Sequence, residues 1–337
     1  MKPQKELNFA KTLVSSYITN TAFFVRIIPT DRCNLSCSYC FQKNNDSSDM
    51  SWDLFCQVLE KAVSLEVGLM SFLGGEPMLW DHLYDALELC SKQNIMTDLT
   101  TNGTLLDDTT IQKLGSSGLD YLNISVDTRD RNSVSRKNRL FDGNIVAALS
   151  SAEKAYRMKT RMNSVIYNNN FEDIKALLEL SKHRDIPISL GFIVPDMKNP
   201  GEKDIHFSEQ DSDLLHEIVD YILAKKDEHY PVIDHKSYFT NVFRFLRHEQ
   251  FWKCNYPTRF GWINVAPNGA IRSCTKKMDA LDIDFLSLTP EKIARLKETL
   301  EESVKECNPY CYSNCAYDSA YYKANKASFV IDKFVRF

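Results

Sequence analysis

Short apolar runs alternate with longer amphipathic segments along the first two thirds of the chain, and this rhythm predicts a repeated strand–helix unit. Six runs have the length and apolar character of strands: Phe23–Ile28, Leu69–Leu73, Met96–Thr101, Tyr121–Val126, Arg161–Tyr167 and Ile188–Val194. Each is followed by a predicted helix: Trp52–Val63, Leu79–Leu89, Ile111–Leu114, Asn144–Met158, Phe171–His183 and Glu209–Ala224. This alternation predicts parallel strands joined by right-handed crossovers.

Six such units form either an open doubly wound sheet or a partial barrel, and periodicity alone does not separate the two. Both architectures place their active site at the carboxyl ends of the strands. The chemistry is therefore expected in the loops that follow the six strands.

The strand–helix rhythm ends near Tyr230. His235–His248 is predicted to be helical, and the spacing of its aromatic residues favours core packing over a substrate channel. The segment 254–337 holds five of the ten cysteines and one clear helix, Pro290–Lys305. We expect four parts: an N-terminal extension (1–20), an α/β domain (21–230), a helical connection (231–253) and a small cysteine-rich domain (254–337) whose metal site makes up for a thin core.

Charge and hydropathy exclude several classes of protein. The chain has 337 residues, with 41 basic and 45 acidic side chains and a formal charge of −4, which argues against nucleic acid or an anionic membrane as partner. No apolar run approaches the roughly 18 residues of a membrane helix, and Met1–Asn20 lacks the features of a signal peptide. We expect a cytoplasmic protein with no nucleic-acid or membrane partner.

Cysteines are frequent for a chain in a reducing compartment, and their short spacing indicates metal or redox chemistry. The loop after the first strand carries a C-x3-C-x2-C triad, formed by Cys33, Cys37 and Cys40. Three thiolates leave one position of a tetrahedral metal, or one iron of a 4Fe–4S cluster, without a protein ligand, as in catalytic metal sites. The alternative is a zinc site completed by a distant histidine.

The triad, with Tyr39 before its third cysteine, resembles the signature of the radical S-adenosylmethionine (radical SAM) enzymes. The resemblance extends to the next three strand ends: Gly74-Gly75-Glu76-Pro77, which matches the family's GGEP motif, Thr101-Asn102-Gly103-Thr104 and Ser125-Val126-Asp127. The family fold is a partial six-stranded barrel. The resemblance therefore implies an α/β fold with a partial (β/α)6 TIM barrel and a small C-terminal auxiliary-cluster domain.

The resemblance also implies a cofactor site. Cys33, Cys37 and Cys40 would hold a 4Fe–4S cluster whose fourth iron is chelated by S-adenosylmethionine. Glycines permit close backbone approach to the cofactor, and a guanidinium suits its carboxylate. The implied cofactor-binding residues are Gly74, Gly75, Glu76, Pro77, Tyr39, Asn102, Ser125, Arg136 and Asn163. Two alternatives stay open: Arg136 is a solvated surface residue, and Glu76 is an acceptor that stabilises the loop.

A second cysteine element lies near the C-terminus. Cys254 is followed by 14 residues, Gly269, four residues and Cys274, which is similar to the element that opens the SPASM and twitch auxiliary domains of the same superfamily. Turn residues before Gly269 predict a hairpin of Gly261–Ala266 and Ala270–Cys274.

Three further cysteines follow, Cys307, Cys311 and Cys315. The five thiols can fully ligate one 4Fe–4S cluster with one to spare, so the resemblance implies a twitch-like domain with a second, auxiliary 4Fe–4S cluster. The alternative is one auxiliary cluster plus a structural zinc or an open second cluster. Cys56 and Cys90 lie on apolar helix faces and are predicted to be small core residues.

The implied reaction is reductive cleavage of S-adenosylmethionine to a 5′-deoxyadenosyl radical, which abstracts hydrogen from an unactivated C–H bond. A reductant such as flavodoxin or ferredoxin is expected. The predicted substrate is a ribosomally made peptide or protein, and the alternative is a small sugar, aminocyclitol or nucleoside. A non-catalytic iron–sulfur carrier or binding module is disfavoured, because a structural site needs no glycine-lined pocket. Asp127 and Asp196 are candidates for substrate contact or proton acceptance.

Overall fold

Parallel strands alternate with helices in the first two thirds of the chain, as the sequence predicts. The computed structural model describes residues 3–18, 24–40, 48–193, 205–249, 251–254, 262–274, 280–305 and 311–324. The first six described strands are β1 (Phe24–Ile27), β2 (Leu69–Phe72), β3 (Met96–Thr101), β4 (Tyr121–Ser125), β5 (Lys159–Ile166) and β6 (Ile188–Phe192). Each pairs in parallel with the next along the chain, which gives the partial barrel of the predicted fold class.

Within the described ranges the chain forms eleven α-helices. They are α1 (Pro3–Ile18), α2 (Trp52–Ser64), α3 (Leu83–Lys92), α4 (Asp108–Ser116), α5 (Gly143–Tyr156), α6 (Phe171–Arg184), α7 (Ser212–Asp227), α8 (Lys236–Thr240), α9 (Val242–Leu246), α10 (Pro290–Lys305) and α11 (Asn314–Ala324). Alternate strand residues such as Val25, Phe72 and Leu99 are fully buried in the core between sheet and helices. No helix in the described ranges combines the length and apolar character that a bilayer requires.

Two predicted helices are divided in the structure. The predicted helix Leu79–Leu89 begins at the last residue of a short 3-10 turn, Pro77–Leu79, and its regular helical part is α3, which starts at Leu83. The turn forms because Pro77 favours a first helical position and the Glu76 carboxylate caps it by accepting from the Met78 amide. The segment predicted as His235–His248 forms the short helices α8 and α9, separated at Asn241.

The inner face of the sheet is polar at mid-height. Arg26, Ser71 and Asp98 lie side by side on β1, β2 and β3. The Asp98 carboxylate accepts hydrogen bonds from the Ser71 hydroxyl and, at 2.8 Å, from the Asn123 amide. Arg26 and, on β5, Arg161 are both half-buried and stack on aromatic rings. The barrel lumen is therefore lined by hydrogen-bonding and charged groups, which the sequence analysis did not single out.

The sheet continues beyond the barrel. In the described part of the chain β7 (Trp262–Val265) pairs in parallel with β1, and β8 (Ala270–Arg272) and β9 (Ala280–Asp284) follow as antiparallel neighbours. The predicted hairpin is confirmed over these strands, while Gly261 lies outside the described residues. The division of the chain into four parts stays a prediction. The sheet itself includes strands from both sides of the expected boundary at residue 254.

Helix α11, which the sequence analysis did not predict, connects β6 to the β1–β7 side of the sheet. Its Asn314 amide donates to Ser189 on β6 at 2.9 Å and to the buried Asp234 at 3.1 Å. Tyr321, near the other end, packs against the cluster that contains Phe24 and Trp262. This helix therefore places the segment that carries Cys311 and Cys315 against the barrel.

The predicted aromatic core between barrel and C-terminus is present. Tyr238 and Tyr312 are both fully buried, and their rings stack at 4.8 Å between centroids. Tyr317 packs against the same pair. The aromatic residues thus dock the C-terminal segment onto the helical connection.

An N-terminal helix closes the amino end of the barrel where the sequence analysis expected only an extension. Phe9 of α1 stacks on Phe24 at 5.6 Å between ring centroids. The Lys5 ammonium, 2% exposed, donates to Asp120 at 2.7 Å and to the Gly118 carbonyl at 2.9 Å. Asp120 also accepts from the Thr97 amide, so one buried ion pair ties α1 to the start of β3 and β4.

Lys5→Met is expected to lower the free energy of unfolding by about 3–5 kcal/mol, because it leaves Asp120 buried without its counter-charge. The measurement is chemical denaturation of the cofactor-free protein. The matched control is Lys92→Met, which removes an exposed pair with Glu88 and is expected to cost less than about 0.5 kcal/mol. Equal midpoints for the two variants would contradict the assigned role of Lys5.

Candidate cluster and cofactor site

The cysteine triad occupies the loop at the carboxyl end of β1. Cys37 is buried, Cys40 is half-buried and Cys33 is exposed. The three cysteines of the loop therefore range from the protein interior to the solvent-exposed surface. The Cys40 amide donates to the Cys37 carbonyl at 3.1 Å. The Ser38 amide donates to the Val134 carbonyl at 3.1 Å, which ties the loop to the segment after β4.

The first three residues of the GGEP motif pack directly against this loop. The Gly75 amide donates to the Thr30 carbonyl at 3.1 Å, and the Glu76 amide donates to the Arg32 carbonyl at 2.7 Å. A Cβ on Gly75 would lie 2.0 Å from the Arg32 carbonyl oxygen. Gly74 has a φ of +146°, a conformation that favours glycine. The glycines are therefore required by the backbone of the cysteine loop itself.

Glu76 joins the second motif to the third. Its side chain is fully buried, and its two oxygens accept from the Thr101 hydroxyl at 2.7 Å, the Asn102 amide at 2.7 Å and the Met78 amide at 3.1 Å. Burial raises the pKa of Glu76, and these hydrogen bonds act in the opposite direction. The contacts favour the loop-stabilising alternative for Glu76, and its contact with a cofactor stays a prediction.

Asn102 contacts the cysteine loop through its side chain. The amide nitrogen donates to the Asn34 side chain at 2.8 Å and lies 3.8 Å from the Cys33 sulfur. The side-chain oxygen of Asn102 accepts from the backbone amide and the hydroxyl of Thr104. The Thr104 hydroxyl oxygen in turn accepts from the side-chain amide of Asn34. The second and third motifs thus form one hydrogen-bonded network with the loop that carries the triad.

Tyr39 and Asp127 connect the triad to the fourth strand. The Tyr39 hydroxyl donates to the fully buried Asp127 carboxylate, which also accepts from the Ser135 hydroxyl at 2.8 Å and the Val165 amide at 3.0 Å. Burial raises the pKa of Tyr39 well above its ordinary value, and the Asp127 charge raises it further. Tyr39 therefore keeps its proton and acts as a donor, and Asp127 holds the loop in place.

Ser125 and Asn163 are open polar groups beside the network. They face each other in the register of β4 and β5, and both are half-buried. Among the residues that the structure describes, neither side chain has a hydrogen-bond partner. This is consistent with the predicted contacts to a cofactor, which stay a prediction. Pro77 is buried in the turn after β2, and Asp196 lies outside the described residues.

The structure distinguishes two neighbouring cations. Arg136 is exposed, whereas Lys137 points toward the triad loop, with its ammonium 4.0 Å from Asp127 and 5.2 Å from the Tyr39 ring centre. Lys137 was not predicted from the sequence, because adjacent basic residues in a loop carry no signal about which side chain turns inward.

The C-terminal cysteines are partly brought together. Cys254 is buried in a cluster that contains Cys274 and Ala316. Burial lowers the pKa of the Arg26 guanidinium, and nearby Cys315, Asp98 and Cys274 act to raise it, so two of the predicted thiols lie beside one cation in the lumen. Cys307 lies outside the described residues, and Cys311 is half-buried just before α11. An auxiliary cluster on these thiols stays a prediction.

The remaining two cysteines differ in burial. Cys90 is fully buried, as predicted for a core residue, whereas Cys56 is only half-buried on α2. Burial raises the pKa of Cys90 to about 12. A thiol with such a pKa stays protonated at neutral pH, which suits a core residue and disfavours a ligand.

The first site fits a 4Fe–4S cluster with S-adenosylmethionine by its donors. It has three thiols on one loop, a side-chain amide 3.8 Å from one sulfur, and two half-buried polar side chains, Ser125 and Asn163, paired on β4 and β5. Within the described ranges no three His, Cys, Asp or Glu side chains converge as ligands of a single metal ion. A cluster binds each thiolate on a different iron, so its cysteines need not converge in that way.

The comparison with protein families decides the assignment of this region. Residues 27–181, from β1 to α6, match the Radical SAM superfamily. Residues 27–181 form a radical SAM domain. The match includes the triad, the GGEP motif, Asn102, Asp127 and Asn163, and the family implies that the radical SAM domain holds a 4Fe–4S cluster and S-adenosylmethionine.

Curated relatives extend this similarity. The GTP 3',8-cyclase of Clostridium perfringens (strain SM101 / Type A) is 32% identical over 180 residues, which cover 50% of this chain and 54% of that protein. The chain thus matches about half the length of that relative. The probable GTP 3',8-cyclase of Methanothermobacter marburgensis is 28% identical over 310 residues, 86% of this chain and 96% of that protein.

A solved structure shares the fold at low identity. Streptococcus suis SuiB bound to S-adenosylmethionine superposes with a TM-score of 0.62 at 17% identity, covering 93% of this chain and 77% of SuiB. SuiB is also known bound to its precursor peptide SuiA. This likeness concerns the fold and extends past the radical SAM domain into the C-terminal segment.

Proposed function

We propose that this protein reductively cleaves S-adenosylmethionine and abstracts hydrogen from a C–H bond of a substrate held in the barrel lumen. The observation that carries the proposal is the convergence of the three later motifs on the C-x3-C-x2-C loop. When bound, the reduced cluster supplies the electron that splits S-adenosylmethionine into methionine and a 5′-deoxyadenosyl radical.

The chain's own residues would position and protect this chemistry. Glu76 and Asp127 hold the cysteine loop from two sides, while Asn102 directs an amide at the Cys33 sulfur. Ser125 and Asn163 would orient the cofactor next to the loop. A substrate seated in the lumen would exclude bulk water from the substrate radical.

For the substrate we propose a ribosomally made peptide. Arg26, Asp98 and Asn123 in the lumen supply both donors and acceptors, which match the amide and carboxylate groups of a peptide. The fold shared with SuiB agrees with this choice. The reductant in this proposal is a flavodoxin or ferredoxin, and the C-terminal thiols would hold an auxiliary 4Fe–4S cluster.

A nucleotide is the second candidate substrate. The relative that matches 86% of this chain is named a probable GTP 3',8-cyclase. Arg26 and Arg161, both in the lumen and both stacked on aromatic rings, would suit phosphate groups.

The test is release of 5′-deoxyadenosine by anaerobically reconstituted protein that receives S-adenosylmethionine and a strong reductant. Substrate is identified by deuterium transfer from labelled candidates into 5′-deoxyadenosine. Transfer from a peptide supports the first candidate, and transfer from a nucleoside triphosphate supports the second. Protein with an intact cluster that neither binds nor cleaves S-adenosylmethionine would instead be an iron–sulfur carrier, and the proposal would be wrong.

The two neighbouring cations give a residue-level prediction. Lys137→Met is expected to raise the Kd for S-adenosylmethionine about 10- to 150-fold, because the proposed charge-assisted contact of Lys137 with the cofactor carboxylate would contribute about 1.5–3 kcal/mol. Arg136→Met, the matched control, is expected to change the Kd less than about twofold. Equilibrium binding is compared at equal iron content. The reverse order of effects would assign the carboxylate contact to Arg136, as the family resemblance implies.

A further inference from the structure

A buried ion pair connects the two cysteine-bearing regions of the chain. Asp31 lies two residues before Cys33, and Arg272 lies two residues before Cys274. The two guanidinium nitrogens of Arg272 lie 3.1 Å and 3.0 Å from the two Asp31 carboxylate oxygens. The side chains are only 11% and 4% exposed. This is a bidentate pair in a desolvated setting, where geometry is most tightly defined.

Asp31 occupies the segment that anchors the cysteine loop. Its neighbours Thr30 and Arg32 accept backbone hydrogen bonds from Gly75 and Glu76, and its own amide donates to the Ser48 carbonyl at 3.1 Å. The backbone is thus held by the GGEP motif on one side and by the segment at Ser48 on another. The Asp31 side chain supplies a third attachment, and that attachment is to β8.

The hairpin that supplies Arg272 is itself fixed to the barrel. β7 pairs with β1 along its length, and the Ile28 amide donates to the Val265 carbonyl at 2.9 Å. β8 pairs with β7 and brings Arg272 opposite Asn264. The position of the guanidinium is therefore set by the same sheet that positions β1.

We propose that Arg272 is a positioning residue for the first cysteine site, acting through Asp31. The hairpin that carries Cys274 braces the loop that carries Cys33, and it does so whether or not the C-terminal thiols hold a cluster. The meaning of this brace for catalysis rests on the proposed function. The brace itself is a property of the protein without any cofactor.

Three variants of the pair separate bracing from simple loss of a charge. Arg272→Gln leaves the Asp31 carboxylate buried without its partner, Arg272→Lys keeps the charge but loses the two-point contact, and Asp31→Asn with Arg272→Gln removes both charges. The controls are Arg244→Gln, which removes an exposed pair with Glu249, and Cys315→Ala, which removes a C-terminal thiol outside the hairpin.

Hydrogen exchange of the cofactor-free full chain is the first measurement. Arg272→Gln and the double variant are each expected to speed exchange of amides 31–40 about tenfold, Arg272→Lys to speed it less, and both controls to leave it unchanged. If Arg272→Gln does not fold, the double variant decides. Wild-type exchange in the double variant, or equal acceleration by Cys315→Ala, would overturn the proposal.

The second measurement uses reconstituted protein. The change that S-adenosylmethionine causes in the electron paramagnetic resonance spectrum of the reduced first cluster is expected to shrink in Arg272→Gln and to persist in Arg244→Gln. An unaltered change in Arg272→Gln would refute the catalytic meaning of the brace. If wild type neither binds nor cleaves S-adenosylmethionine while loop exchange still responds to Arg272, the proposed function fails and the brace stands.

Discussion

Cys33→Ala is expected to abolish release of 5′-deoxyadenosine. The triad is the complete set of thiols on the loop after β1, so its loss leaves two protein ligands for a cluster that needs three. The Asn102 amide near Cys33 would also lose its sulfur acceptor. The measurement is 5′-deoxyadenosine formed over hours with excess reductant, together with iron and sulfide content after reconstitution.

The matched control for this loss is Cys56→Ala, which removes a half-buried thiol on α2. It is expected to retain wild-type iron content and activity, because Cys56 lies on α2 and not on the cysteine loop. Activity in Cys33→Ala that equals the Cys56→Ala level would refute the assignment of the triad. A loss in both variants would indicate that reconstitution depends on total thiol content.

Gly75→Ala is expected to bind much less of the first iron–sulfur cluster than wild type, although the alanine side chain is chemically inert. The added Cβ would lie 2.0 Å from the Arg32 carbonyl oxygen and 2.8 Å from that of Asp31. Both atoms belong to backbone, so relief requires the cysteine loop to move. A displacement of about 1 Å at a reacting site can lower rates about 10²-fold. Iron content and 5′-deoxyadenosine release are measured together.

Gly143→Ala is the control for this substitution. Gly143 is the first residue of α5, and a Cβ there would meet nothing within 4 Å. The variant is expected to match or exceed wild type in stability, because alanine lowers the conformational entropy of the unfolded chain, which raises the free energy of unfolding by about 0.4–1 kcal/mol. Wild-type cluster content in Gly75→Ala would show that the cysteine loop accommodates the added Cβ. The tight packing of the GGEP motif would then not be needed for cluster binding.

The sequence predicted those parts of the site that depend on residue type and on spacing within one short segment. Cys33, Cys37 and Cys40 need only a short loop to lie near one another, so their grouping follows from local spacing. Glycines 74 and 75 were recognised from the motif, and the structure adds a role that the motif did not predict. They accommodate the backbone of the cysteine loop, which only a structure with Arg32 in place can reveal.

The sequence by itself determined the strand–helix order of the barrel, because hydrophobic periodicity is a local property of each segment. β3 was predicted to the residue, and β1, β2 and β4 to within one or two positions at the described ends. The sequence also determined the radical SAM motifs, since each is contiguous. It did not predict α1 or α11, whose apolar spacing is weak and whose burial depends on distant partners.

The tertiary structure alone decided the contacts between residues far apart in the chain. Lys5 pairs with Asp120, Tyr39 donates to Asp127, and Arg272 pairs with Asp31 across 241 positions. None of these partners carries a spacing signal, because the sheet and not the chain brings them together. The same holds for Lys137, whose inward direction is set by the fold of its loop. Local sequence patterns specify secondary-structure elements and motifs. Which of many similar charged residues form a pair depends on which of them the fold brings into contact.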